Sequence, residues 1–182
     1  MSKYVRILLI LAFISTAAGW AQAQTDERDA GIHLYREGKF AEAASQLESV
    51  ATLDSKDRQA WLYLGAAYEH LGRREDAKKA LRASRMQQTT NLEKFDKKLA
   101  VKRKPQAQFR RDIDEATPVV ISVAVEFRAD GTIGVVVPFQ NRPSDHEDSV
   151  IRAARSIEFE PAEIGGKPVT TVMVLAYKFA RY

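Results

Sequence analysis

From Pro118 onward the apolar residues fall at every second position. Val119, Ile121, Val123, Val125 and Phe127 alternate with Val120, Ser122, Ala124, Glu126 and Arg128, the period of a strand with one face buried. Asp130-Gly131 follows as a two-residue hairpin signal, and Ile133, Val135, Val137 and Phe139 make the return strand. Pro138 suits a strand end or edge. Ser144 with Glu147 three residues on reads as a capping box, and the helix it opens carries Val150, Ile151, Ala154 and Ile157 on one face. The chain returns through Phe159 and Pro161, turns at Gly165-Gly166 and closes with an alternating run over 169–179. These patterns predict a β-β-α-β unit holding a three-stranded antiparallel sheet.

Upstream, between 30 and 85, the period is that of helices. The stretch has no proline and is rich in Ala, Leu, Glu, Lys and Arg. It also repeats: Gly38-Lys39-Phe40-Ala41-Glu42-Ala43 is answered 34 residues later by Gly72-Arg73-Arg74-Glu75-Asp76-Ala77. The second copy reads Trp61-x2-Leu64-Gly65-x2-Tyr68, then Ala77 and Leu81; the first has Gly31, Leu34, Ala43 and Leu47 at the same offsets, with Glu27 in place of the Trp. The small residues Gly65 and Ala77 let paired helices approach, Trp61, Leu64, Tyr68 and Leu81 fill the space between them, and Gly38 and Gly72 supply the left-handed residue that ends a helix. The stretch 24–91 resembles a pair of tetratricopeptide repeats, whose period is about 34. The resemblance implies that Gln59, Leu62, Ala66 and Glu69 face a peptide in the concave groove. Two repeats fall short of the three or so that such arrays need. The stretch 90–100, TNLEKFDKKLA, with Leu92, Phe95 and Leu99 at helical spacing, is therefore predicted as a fifth, capping helix.

The first 23 residues stand apart. Lys3 and Arg6 precede an apolar run from Ile7 to Ala18, and Ala21-Gln22-Ala23 is a small-x-small site, the three parts of a secretory signal peptide. A membrane span needs about 20 apolar residues, so cleavage after Ala23 is the expectation and a retained inner-membrane anchor over 1–20 the alternative. Export changes the charge: without Lys3 and Arg6 the chain keeps 26 basic residues against 24 acidic ones, a formal +2, which gives no case for nucleic acid. With no cysteine in the chain, there is no disulfide or thiol chemistry. The expected compartment is a bacterial periplasm.

The closing stretch carries a second resemblance. Ala153-Ala154-Arg155 is followed by Phe159-Glu160-Pro161-Ala162, then Gly166-Lys167-Pro168-Val169, then Tyr177-Lys178-Phe179, with Lys104-Pro105 upstream. The ordered set resembles the C-terminal domain of TonB-type energy transducers over about 102–182. The resemblance implies a domain that takes a partner peptide by adding a strand to its sheet edge, with Thr170, Val172 and Val174 giving the side-specific contacts, and an outer-membrane receptor as one partner class. The chain departs from those transducers in two respects: a signal peptide is expected where they carry an N-terminal anchor, and repeats stand where they carry a long proline-rich spacer.

The remaining chemistry is sparse. His33, His70 and His146 lie in three different predicted elements without metal-ligand spacing. Asp145-His146-Glu147-Asp148 is read as helix-start chemistry, since acids favour a helix N-terminus. The basic run from Lys94 to Arg111 reads as a solvated linker, with an anionic envelope surface as the sharper reading. No catalytic, cofactor or metal residue is assigned. The organisation expected is α+β: 1–23 signal peptide, 24–100 repeats with capping helix, 101–117 basic linker and 118–182 TonB-like domain. The expected function is a non-catalytic periplasmic interaction module binding a protein or peptide partner. A homodimer through the sheet edge is an additional possibility, and an anchored energy transducer is the alternative.

Overall fold

The computed structural model describes residues 25–85, 93–108, 119–139 and 145–179. The stretch expected as a signal peptide, and Ser144, expected to open a capping box, lie outside them. Four helices come first: α1 over 25–36, α2 (Phe40–Leu53), α3 (Arg58–His70) and α4 (Arg74–Arg85). They form two hairpins in which one contact is made twice. A Cβ on Gly31 would lie 2.8 Å from Leu47, and one on Gly65 would lie 2.6 Å from Leu81. The two pairs are 34 positions apart, and each glycine is small because a leucine of the next helix occupies its side-chain space. The first helix of each hairpin ends alike. Gly38 and Gly72 have φ of 77° and 73°, and the amides of Lys39 and Arg73 donate back to the carbonyls of Leu34 and Tyr68, the Schellman closure that only glycine makes without strain.

At the start of α3 the Asp57 carboxylate accepts from the Ala60 amide at 3.0 Å. The buried Arg28 of α1 reaches the same carboxylate at 3.4 Å, so the cap also ties the hairpins together. Trp61 differs from expectation: it is only partly buried, and its indole N–H donates to the Ser55 carbonyl at the surface. Tyr63, which the repeat pattern does not mark, is the fully buried aromatic of α3.

Among the described residues, the C-terminal half contains α5 (Asp145–Arg155) and seven strands: β1 (Ala100–Arg103), β2 (Val119–Phe127), β3 (Ile133–Pro138), β4 (Glu158–Glu160), β5 (Ala162–Ile164), β6 (Lys167–Val169) and β7 (Thr171–Phe179). The three-stranded antiparallel sheet has the order β3-β2-β7. Its hairpin loop is one residue longer than expected. The Arg128 amide donates to the Thr132 carbonyl at 3.0 Å around Ala129, Asp130 and Gly131, and Gly131 takes the left-handed position with φ of 83°. The last strand is also shorter than the run 169–179: Lys167–Val169 folds back on β5, and β7 begins at Thr171.

The expected fifth helix does not form over its described part. Residues 93–99 are irregular, Lys97 bridges Glu163, and Ala100–Arg103 pairs with β4. The helical spacing of Phe95 and Leu99 loses to tertiary pairing. Lys102 meets Glu160 at 2.9 Å, Lys97 meets Glu163 at 3.2 Å, and Arg103 reaches Glu158 at 2.5 Å. Part of the stretch read as a linker thus belongs to the C-terminal sheets.

Both faces of the central sheet are covered. Ile121, Val123, Val125 and Phe127 pack with Val150, Ala154 and Ile157 of the α5 region. On the opposite face, Ala124 and Val172 join one continuous apolar cluster with Leu62, Tyr63, Ala66 and Tyr35 of the repeats. The face that alternation assigned to solvent is buried against the helices.

Candidate functional site

The seam between repeats and sheet is organised around one side chain. Glu126 projects from β2 toward the helices and is 3% exposed. The Tyr35 hydroxyl of α1 donates to its Oε1 at 2.9 Å. His70 Nε2 of α3 lies 3.2 Å from both carboxylate oxygens. The Val135 amide of β3 donates to Oε2 at 2.9 Å, and Arg128 Nε stands 3.5 Å from the same oxygen. Gly134 makes this possible: a Cβ there would lie 1.7 Å from Glu126 Oε2.

A buried carboxylate without partners would be costly. Burial is the largest single influence on Glu126 and pushes its pKa up, but the bonds from His70, the Val135 amide and Tyr35 outweigh it, so the carboxyl titrates below its ordinary range. The same burial, with the carboxylate beside it, pushes the Tyr35 hydroxyl well up. His70 is held from its other side by Phe40, whose ring stacks on the imidazole at 3.8 Å with an interplanar angle of 3°. Each of these acid-base groups is engaged by another, and the cluster acts as a clasp between two elements distant in sequence.

A second tie runs beside it. Arg36 Nε of α1 donates to the Thr170 carbonyl at 2.9 Å, and its guanidinium also pairs with Glu93. The Tyr63 hydroxyl donates to the same Glu93 carboxylate at 3.2 Å. Thr170 uses its own hydroxyl to accept from the Ala129 amide at 3.2 Å. Next to the clasp a cleft of about 410 Å³ opens between the ends of α3 and α5, lined by Glu69, His70, Arg128, Gly134, Val135 and Arg155.

The two sets of residues expected to bind peptides meet each other. Leu62 and Ala66 of the groove are buried, and they share one cluster with Val172 and, at its margin, Val174. Gln59 is partly buried, and Glu69 lines the cleft with Arg74 3.7 Å away. Thr170 is tied as described. In this conformation the groove is filled by the chain's own sheet. The pattern of the sequence did not single out Tyr35, Arg36, Tyr63, His70, Glu93 or Glu126. The available signal was Glu126 itself, the one acid in the nine residues of β2.

The outer edge of β7 presents a different surface. β7 is terminal in its sheet, and among the described residues no strand pairs with its far side. Met173 is 41% exposed there. Lys104 crosses one end, donating to the Ala176 carbonyl at 2.8 Å and standing 4.4 Å from the Tyr177 ring centre. Lys97, Lys102 and Arg103, part of the run read as an anionic-surface contact, are paired with the acids of β4 and β5.

Residues 34–100 match the family model of the tetratricopeptide repeat. The match continues past α4 to Ala100, where the described chain is no longer helical. No curated protein matches the chain. Tetratricopeptide repeats are in general non-catalytic modules of protein–protein interaction, so protein partners are the class this region points to.

Proposed function

We propose that the chain is a non-catalytic interaction module of the bacterial cell envelope, exported to the periplasm, and that it takes its partner along the outer edge of β7. The observation that carries this reading is the position of β7: nine residues long, last in the order β3-β2-β7, with its far edge unpaired by any described strand. Such an edge offers main-chain donors and acceptors to an extended segment. The TonB-type resemblance of the closing stretch of the sequence favours the same mode, a partner strand added to a sheet edge. The repeats contribute by packing on the inner face of the same sheet, where Val172 of β7 joins their apolar cluster.

The test is site-specific photo-crosslinking in the native envelope. A photoreactive amino acid at Met173 should give a discrete cross-linked species, whereas the same group at the more exposed Leu53 of α2, 67% exposed, should not. Equal products from both positions would remove β7 as the binding edge. Amino-terminal sequencing of the mature chain from the periplasmic fraction should begin at Gln24.

A further inference from the structure

Which main-chain groups of β7 are free follows from parity. The Arg128 amide bonds to the Thr132 carbonyl, so even-numbered residues of β2 turn their main-chain groups toward β3 and odd-numbered ones toward β7. The β2–β7 register pairs odd with odd without a break, from Val119 with Phe179 to Phe127 with Thr171. Met173, Leu175 and Tyr177 therefore bond to β2, and Val172, Val174 and Ala176 turn their main-chain groups outward. Side chains from elsewhere hold both ends of that outward row. At its start Arg36 takes the Thr170 carbonyl at 2.9 Å, and the Val172 amide faces the Tyr63 hydroxyl. At its far end Lys104 Nζ donates to the Ala176 carbonyl at 2.8 Å, 4.4 Å from the Tyr177 ring centre. Among the described residues, the Val172 carbonyl, both groups of Val174 and the Ala176 amide stay open.

The two ends differ in kind. Arg36 is also paired with Glu93, and Tyr63 is fully buried, so the first end is built into the core. Lys104 is exposed. Lys102 and Arg103 before it are matched by Glu160 and Glu158, but Lys104 meets no acid among the described residues. Its ammonium rests on a neutral carbonyl and a ring, weaker partners than a carboxylate. A lysine laid across a sheet edge is a device against indiscriminate strand pairing.

We infer that Lys104 is both latch and selector of the β7 edge. In the free chain it closes the row at Ala176. It opens for an extended segment that supplies an amide to the Ala176 carbonyl and a carboxylate to the released ammonium. The partner is therefore an acidic extended peptide, paired over 172–176 with its acid at the Lys104 end. This rests on the reading that β7 takes the partner, and adds what that partner must carry.

The test starts from short random peptides displayed on phage and panned against the full chain. Recovered sequences are synthesised and cross-linked through a photoreactive residue at Met173. Those that cross-link should share an acid. Replacing it by its amide should weaken binding about tenfold in the natural chain and hardly at all in Lys104→Gln. Lys104→Glu should instead prefer a Lys or Arg at that place, with circular dichroism of both variants unchanged. In the free chain the amides of Val174 and Ala176 should exchange with deuterium faster than those of Met173 and Leu175, and a bound peptide should close that gap. Peptides that cross-link at Met173 without an acid preference would overturn the latch and leave the β7 edge standing. So would a preference that survives in Lys104→Gln and Lys104→Glu. Peptides that bind without cross-linking at Met173 would remove the edge, and the inference with it.

Discussion

Gly134 faces Glu126 so closely that no side chain fits between them: a Cβ on Gly134 would stand 1.7 Å from the carboxylate oxygen Oε2. The glycine is therefore the complement of the acid, not a flexible point in the strand. Gly134→Ala should force Glu126 out of its grip and leave Tyr35 and His70 without their acceptor. The expected loss is about 2–4 kcal/mol of unfolding free energy. Urea denaturation checks it, and a double-mutant cycle sharpens it. In a Glu126→Ala background the same glycine change should cost much less, because the atoms that clash are gone. Additive losses would mean that the two residues do not share this space.

That pair also marks where the sequence stops being readable. The repeat period located the glycines at 31, 38, 65 and 72, because each answers a local geometric demand. Alternation in β2 located the strand and its α5-facing side. It could not say what lies over the other side, and Ser122, Ala124 and Glu126 resemble a solvated face as much as a docking face. Glu126 is legible only once α1 and α3 are laid across it. The stretch containing Phe95 and Leu99 failed for a related reason. Its helical spacing is real, but Glu158, Glu160 and Glu163 lie more than 50 residues away in sequence and pair with its cations. The repeat pattern fixes Trp61 but leaves position 63 open, so the buried Tyr63 carries no mark in the sequence.

Acid should loosen the clasp. The Glu126 carboxyl titrates below its ordinary value of 4.5. A depressed folded pKa means that the unfolded chain binds the proton more readily. The carboxylate's contribution is then fully present above the ordinary value and is lost as pH falls through the folded one. Unfolding free energy measured from pH 3 to 7 should fall at the acid end more steeply in the natural chain than in Glu126→Gln. Parallel curves would show that Glu126 is not clasped in solution.

The duplicated glycine–leucine contact predicts a matched pair of effects. Leu47 and Leu81 are fully buried against Gly31 and Gly65. Truncating either to alanine should cost about 2–5 kcal/mol. Trp61→Ala should cost less than Tyr63→Ala, since only Tyr63 is fully enclosed. Thermal melts of the four variants decide this, and a Trp61 effect as large as that of Tyr63 would restore the tryptophan to the core.

The last prediction concerns the basic stretch at 97–103. Its cations are held by acids of β4 and β5: Lys102 by Glu160, Arg103 by Glu158, and Lys97 by both Glu160 and Glu163. These pairs are exposed, and each adds at most about 1 kcal/mol to stability. Their stronger effect is on the surface field, because a paired cation is a poor counterion for an outside anion. Glu158→Gln together with Glu160→Gln should hardly move the melting temperature. It should, however, raise the salt needed to elute the protein from a sulfonated cation-exchange resin, and should increase pelleting with phosphatidylglycerol vesicles. If the natural chain already pellets as strongly as the double variant, the cations face outward in solution and the anionic-surface reading of this stretch regains its standing. If the double variant unfolds, the cross-strand pairs carry the β1–β4 pairing that replaced the expected helix, and their energy is larger than exposure alone allows.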